Sequence, residues 1–235
     1  MKPEAGWFEA LPKDRLLAEF SLWSADLGRL ADDVARVDRF VDLYHVDVAD
    51  GHFSPALLYF PDLLAAVRKV TAKPLHVHLM VEDAILEAQI EQFAEAGADL
   101  ISIHVENGNR DAGLALIERL GVKSGLVLKL ETPVADVADD LGRIDLLTLL
   151  GTRIGVKGQG LDASAPGRLE QAAQLIADAG RTGVLRLAAD GGIRENTVPA
   201  LRASGAETIV MGSLAFGAAD LAARIDWVHA LPVAR

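Results

Sequence analysis

The sequence predicts an α/β chain folded as a single TIM (β/α)8 barrel, and three observations carry that reading. Eight short apolar runs of β type recur along the 235 residues, alternating with segments of helical periodicity. Several runs are apolar throughout, as strands of a parallel sheet covered on both faces are. The runner-up, an open Rossmann-like sheet, lacks a G-x-G-x-x-G after its first strand.

The expected strands are residues 17–23, 42–48, 74–81, 100–105, 123–130, 144–151, 183–190 and 208–212. Between them, residues 24–37 begin with Ser24, a residue suited to capping, and continue with apolar positions at helical spacing. Residues 81–97 carry Ile85, Ile90 and Phe93 on related faces and stop at Gly97. Helical patterns over 108–120, 133–142, 166–180, 194–204 and 213–225 complete the set. Residues 1–17 form an N-terminal extension, and 18–235 the barrel. In the extension, Trp7 and Phe8 pack on a neighbouring subunit or cover the barrel.

Composition narrows the function. Hydrophobic residues make up 51% of the chain, enough for a large core. With 23 Lys and Arg against 34 Asp and Glu, the net charge is -11, so nucleic acid and anionic membrane are repelled and any anion site is built locally. The chain has no cysteine, which excludes disulfides, thiolate metal sites and cysteine nucleophiles and agrees with a reducing cytoplasm. No signal-peptide pattern opens the chain and no run of about 18 apolar residues suggests a membrane span. The expectation is a soluble cytoplasmic enzyme.

In such a barrel the C-terminal ends of the strands line the active face. Ser21 ends the first strand. His45 and Asp47 end the second, two apart and therefore on one face, and His76 with His78 do the same in the third. His104 and Glu106 end the fourth, Asp190 the seventh, and Gly212-Ser213 the eighth. Imidazole with carboxylate and no thiol suits zinc, manganese, iron or cobalt, so His45, Asp47, His78 and Asp190 are candidate ligands of one divalent ion. Asp50 with Gly51 reads as a turn whose carboxylate holds local backbone N–H groups, and His52 as a solvated or supporting imidazole. Gly191-Gly192, Gly212-Ser213 and the run GVKGQG, with Gly155, Gly158 and Gln159, follow late strands and form a candidate phosphate cradle. Lys157 either adds a positive charge there or remains a solvated loop lysine.

The stretches FSLWSADLGRL (20–30), HVDVADGHFSP (45–55), HVHLMVE (76–82), AGADLISIHVE (96–106), GVKSGLVLKLETP (121–133), ADGGI (189–193) and SGAETIVMGSLAFG (204–217) resemble the ribulose-phosphate 3-epimerase family in order and spacing. The resemblance implies a TIM barrel with one divalent metal that inverts C3 of pentulose 5-phosphates. It implies His45, Asp47, His78 and Asp190 as ligands, and Asp47 and Asp190 as the two acid/base carboxylates. By the same resemblance Ser21 lies near the sugar, Met80 covers the reacting centre, and Gly158, Gly191, Gly192, Gly212 and Ser213 hold the phosphate. A homo-oligomer is implied in the same way. The chemistry requires such a set: the C3 proton is acidic only if the enediolate is stabilised, and inversion needs a base on one face and an acid on the other.

The pattern breaks around the substrate. In LLTLLGTRIGVKGQG (146–160), Ile154 and Val156 replace the family's proline and phenylalanine, and Lys157 stands at a glycine position. Ala49 and Leu150 occupy positions of two capping methionines. The reaction expected is therefore a ketose-phosphate 3-epimerisation, with D-ribulose 5-phosphate as the default substrate and another sugar phosphate or acid as the alternative. A decarboxylase or synthase of the hexulose-phosphate group is disfavoured, because DVADG lacks the lysine of their Asp-x-Lys-x-x-Asp array. A non-catalytic phosphate-binding barrel is disfavoured by the intact set of four ligands.

Overall fold

The computed structural model describes residues 1–232, so the last three positions of the expected barrel span lie outside it. Eight strands run parallel: β1 (Leu17–Ser21), β2 (Leu43–Asp50), β4 (Leu75–Met80), β5 (Leu100–His104), β6 (Lys123–Leu128), β7 (Leu146–Leu150), β8 (Arg186–Asp190) and β9 (Thr208–Met211). β1 pairs with both β9 and β2, which closes the sheet into a barrel. A two-residue strand, β3 (Leu57–Leu58), folds back antiparallel on the end of β2.

Alternation along each strand separates two interiors. Tyr44, Val46, Val77, Leu79, Ile101, Ile103, Leu147 and Leu149 face outward into one apolar layer beneath the helices. The opposite faces of β2 and β4 carry His45, Asp47, His76 and His78 into the barrel. The register pairs His45 with His76 and Asp47 with His78, so the side chains stack in layers. This is why all six residues of β4 are buried although two are histidines.

The outer ring is α1 (Leu30–Val37), α2 (Pro61–Arg68), α3 (Asp83–Ala96), α4 (Arg110–Arg119), α5 (Ala165–Asp178), α6 (Val198–Ala203), α7 (Ser213–Phe216) and α8 (Leu221–His229). Several boundaries differ from expectation. Ser24 caps no helix; the Asp26 carboxylate instead accepts from Gly28 N–H and makes a separate turn, and α1 starts at Leu30. In α3 the buried stripe is Leu86, Ile90 and Phe93, spaced i, i+4, i+7, and Ile85 falls one position outside it at 40% exposure. Residues 134–140 form a 3₁₀ segment, and the 213–225 pattern splits into α7 and α8.

The first residues close the N-terminal mouth. Phe8 is buried against Leu100, Leu146 and Ala188 of β5, β7 and β8. Trp7 meets the Phe8 ring edge-on, the Lys123 ammonium lies 5.2 Å from its centroid, and Arg186 Nη2 donates to Leu11 O at 2.8 Å. Phe8 thus covers the barrel of its own chain.

Candidate active site

The opposite mouth opens on a cavity of about 450 Å³, lined by strand ends β1, β2, β4, β7, β8 and β9 and by the loop after β7. At its floor the strands bring His45, Asp47, His78 and Asp190 together, with one donor atom from each within 4.8 Å of all the others. His45 Nε2 lies 3.1 Å from Asp47 Oδ1 and 3.9 Å from Asp190 Oδ2. His78 Nδ1 lies 3.5 Å and 4.0 Å from the same two oxygens. Ligands bonded to one cation at about 2.0–2.2 Å stand about 2.8–3.1 Å apart at adjacent corners of an octahedron and about 3.3–3.6 Å apart in a tetrahedron, so separations from 3.1 to 4.0 Å suit an ion.

The donor set itself passes a second test. His78 Nδ1 is buried without a hydrogen-bond partner. Its other nitrogen, Nε2, is 2.9 Å from His104 Nε2, and His104 Nδ1 is 2.9 Å from Glu106 Oε2. A carboxylate only accepts, so His104 donates from Nδ1 and accepts at Nε2, which makes His78 the Nε2–H tautomer with a free lone pair on Nδ1. Burial holds His104 down to about 4, in keeping with a neutral ring. Two imidazoles and two carboxylates with an orphaned nitrogen fit a divalent cation such as zinc, manganese, iron or cobalt.

The two carboxyls of the cluster are pushed apart. Burial raises Asp190 to about 6, with the neighbouring Asp47 charge adding to the rise and His45 opposing it. Burial also acts on Asp47, but the charge of His45 and its hydrogen bond outweigh it and hold that carboxyl below the usual range. For His45, burial opposes the charge, yet Asp47 on one side and Glu19 on the other raise it well above an ordinary imidazole. Opposed shifts in one pocket are the environment in which two carboxyls take different proton roles.

The remaining expected residues divide. Ser21, Met80, Gly155, Lys157, Gly158, Gln159, Gly191, Gly192, Gly212 and Ser213 all line the cavity. Ser21 Oγ donates to Asp47 Oδ2 at 2.9 Å, so its hydroxyl orients a carboxylate. The Gln159 amide donates to Arg153 O and Val156 O, which engages that side chain in holding its own loop. At Gly192 a Cβ would fall 2.6 Å from Leu161 Cα, and its φ of 69° is left-handed, so both space and backbone exclude other residues. The Asp50 carboxylate accepts from the backbone N–H groups of His52, Phe53 and Glu82, and His52 points to solvent.

Sequence reasoning singled out neither Trp23, Arg153 and Arg194, which also line the cavity, nor Glu19, buried beneath it. Two arginines beside glycine turns in an acidic chain were an available signal, as was a lone glutamate within an apolar strand.

Comparison with known proteins now decides the family. The model of the ribulose-phosphate 3 epimerase family matches residues 17–216. This chain belongs to that family. A ribulose-phosphate 3-epimerase of Bacillus subtilis (strain 168) is 35% identical over 202 residues, 85% of this chain and 92% of the relative. Ribulose-phosphate 3-epimerase 1 of Cupriavidus necator is 38% identical over 208 residues, 85% of this chain and 84% of the relative. A solved 3-hexulose-6-phosphate synthase aligns with a TM-score of 0.66 over 93% of this chain and all of its own, at 18% identity. Orotidine 5'-phosphate decarboxylase from Pyrococcus horikoshii OT3 gives 0.62 over 90% of this chain and 97% of its own, at 14% identity. At such identities the structures share the fold alone. As a family member the chain is a carbohydrate epimerase, of the isomerase class, and the family name supports a ketose phosphate as the compound it handles. Among the described residues no helix is long and apolar enough to cross a membrane.

Proposed function

We propose that this epimerase interconverts D-ribulose 5-phosphate and D-xylulose 5-phosphate, using one divalent metal and two carboxylates. The observation that carries the reading is the four-residue cluster at the cavity floor, with Asp47 and Asp190 facing one space and shifted in opposite directions. His45, Asp47, His78 and Asp190 would hold the cation, which supplies Lewis-acid stabilisation of the negative charge that develops on the C2 oxygen.

The chain's own residues do the rest. One of Asp47 and Asp190 takes the C3 proton from one face of the sugar, and the other returns a proton to the opposite face. Ser21 keeps Asp47 oriented through its hydroxyl. Met80 and Leu150, both buried, present an apolar wall to the reacting carbon. Gly155, Gly158, Gly191, Gly192, Gly212 and Ser213 border the phosphate end. A second reading, a ketose phosphate of different shape, is favoured by Arg153, Lys157 and Arg194 on the same wall.

The test is to incubate the metal-loaded protein with a panel of ketose phosphates in deuterated water and to follow C3 by NMR. Deuterium entering C3 of ribulose 5-phosphate, with xylulose 5-phosphate accumulating and no carbon–carbon cleavage, is the expected result. Faster exchange with another ketose phosphate selects the second reading, and no exchange with any of them rejects both.

A further inference from the structure

One layer below the proposed ligands lie three buried polar side chains that the proposed chemistry does not use: Glu19 on β1, His76 on β4 and Ser102 on β5. Glu19 Oε1 lies 2.8 Å from His45 Nδ1 and 2.5 Å from His76 Nδ1, and His76 Nε2 is 2.7 Å from Ser102 Oγ. Gly125 of the next strand leaves room for this arrangement, since a Cβ there would strike Ser102 Oγ.

Glu19, His45 and His76 converge closely enough to raise the question of a second ion. The spacings answer it. The contacts of 2.5 and 2.8 Å share one oxygen, Glu19 Oε1, and are hydrogen bonds; at 2.5 Å that oxygen and His76 Nδ1 are closer than the roughly 2.8 Å that separates neighbouring ligands of one cation. The lower group is a relay of donors and acceptors and the upper one is an ion cage.

Direction in that relay follows from the acceptor-only carboxylate. Both imidazoles donate to Glu19 from Nδ1, and His76 in turn accepts the Ser102 hydroxyl at Nε2. A neutral His45 has one ring proton, and two carboxylates compete for it: Glu19 at Nδ1 and Asp47, 3.1 Å away, at Nε2. Only the first choice leaves Nε2 a lone pair aimed at the cage. Ligating histidines elsewhere are oriented by such outer carboxylates, and losing one typically costs about 10- to 100-fold in metal affinity.

We infer that Glu19 is a positioning residue: it fixes His45 as the Nδ1–H tautomer with Nε2 turned to the metal, and His76 with Ser102 hold Glu19 in place. This rests on reading the upper four residues as a metal site.

The test measures Co²⁺ affinity by chelator competition in the unaltered chain and in Glu19→Ala, Glu19→Gln and Ser102→Ala, with circular dichroism melts of each. Long-range ¹H–¹⁵N NMR of the Zn²⁺-loaded unaltered chain reads the His45 tautomer directly. Glu19→Ala is expected to weaken Co²⁺ binding about 10- to 100-fold. Glu19→Gln, which keeps an acceptor oxygen and loses the charge, and Ser102→Ala, which touches neither His45 nor the carboxylate, are expected to lose less. His45 is expected to carry its proton on Nδ1. Variants that are folded and bind Co²⁺ as tightly as the unaltered chain overturn the role of Glu19, as does a His45 ring that ligates through Nδ1 or keeps its proton on Nε2. Should Glu19→Ala fail to fold, Glu19→Gln and the tautomer of the unaltered chain decide. An unaltered chain that takes up no Co²⁺ overturns the metal reading beneath the inference, and is thereby distinguished from failure of the inference alone.

Discussion

The two mouths of this barrel are built from the same eight strands and do opposite things. At the N-terminal mouth Phe8 packs on Leu100, Leu146 and Ala188 and closes the barrel off. At the C-terminal mouth the inward positions are Ser21, Asp47, His78 and Asp190, and the barrel opens on its cavity. Between them lies the Glu19–His76–Ser102 layer, polar and fully buried. Phe8 thus plugs one end of the barrel, and the polar cluster opens to solvent at the other. Burial at the floor of that cavity raises Asp190, and the Asp47 charge beside it adds to the rise.

The largest effect is expected at the open mouth. On the proposed mechanism Asp47→Asn and Asp190→Asn each remove a proton-transfer group worth about 10²- to 10⁴-fold, so epimerisation should fall by at least that factor in either variant. The two variants also separate the faces. Each should retain C3 exchange in deuterated water with only the epimer whose proton faces the surviving carboxylate, read by NMR. Equal residual exchange of both epimers would break the two-face assignment.

At the closed mouth the same scale of free energy should appear as stability. Phe8→Ala empties the plug, and truncating a buried phenylalanine costs about 3–5 kcal/mol. Urea unfolding should show that loss while kcat of the folded variant stays within about twofold. A large fall in kcat without a change in stability would show that the two ends are not separable.

The eight strands were legible because parallel strands covered on both sides are apolar along their whole length, and the runs at 42–48, 100–105 and 208–212 match β2, β5 and β9 to within two residues at either end. The meeting of His45, Asp47, His78 and Asp190 was legible for a related reason: residues two apart in a strand share a face, and strand ends converge on one mouth. Helix α2 was overlooked because PDLLAAVR is eight residues long and follows other apolar residues, although Pro61 at its first turn was a start signal. Glu19 escaped because LAEFS reads as one apolar strand. A single carboxylate there needs a partner, and its partners lie 26 and 57 residues away, beyond the reach of any local pattern. Arg153 and Arg194 sit in loops, whose course no periodicity encodes.

A smaller effect sharpens the picture of the N-terminal mouth through pH. Asp42, immediately before β2, takes two hydrogen bonds from Arg15, at 2.8 and 2.6 Å, and one from Ala18 N–H at 2.9 Å. Burial raises Asp42, but the Arg15 hydrogen bonds, the contact with His229 and the Ala18 bond hold it below the usual carboxylate range. A depressed folded value means stability that is fully present above the unfolded value of about 3.9 and lost as pH falls below it. Asp42→Asn should therefore destabilise by about 2 kcal/mol at pH 7, with the difference from the unaltered chain shrinking as pH falls from about 4 towards 2. Urea midpoints at pH 7 and 3 check this, and a difference that persists unchanged at pH 3 would remove Asp42 from the acid response.

The smallest effect belongs to Lys157, on the rim of the open mouth. Its ammonium donates to Trp23 O and lies 4.8 Å from the centroid of the Trp23 ring. It shares the cavity wall with Arg153 and Arg194, three cations in a chain of net charge -11. A phosphate arriving from solvent meets this rim first, so the cations act on capture more than on the proton transfers proposed at the floor. Removing one partly exposed charge of three is worth about 1 kcal/mol, or about fivefold in equilibrium terms. Lys157→Ala should raise KM for the phosphorylated ketose by about that factor and leave kcat within about twofold. Salt screens partly exposed charges, so the gap between Lys157→Ala and the unaltered chain should narrow between 0.05 and 0.5 M salt. A change confined to kcat, or one indifferent to salt, would mean that Lys157 acts at the reacting carbon instead, and would move the division between rim and floor inward.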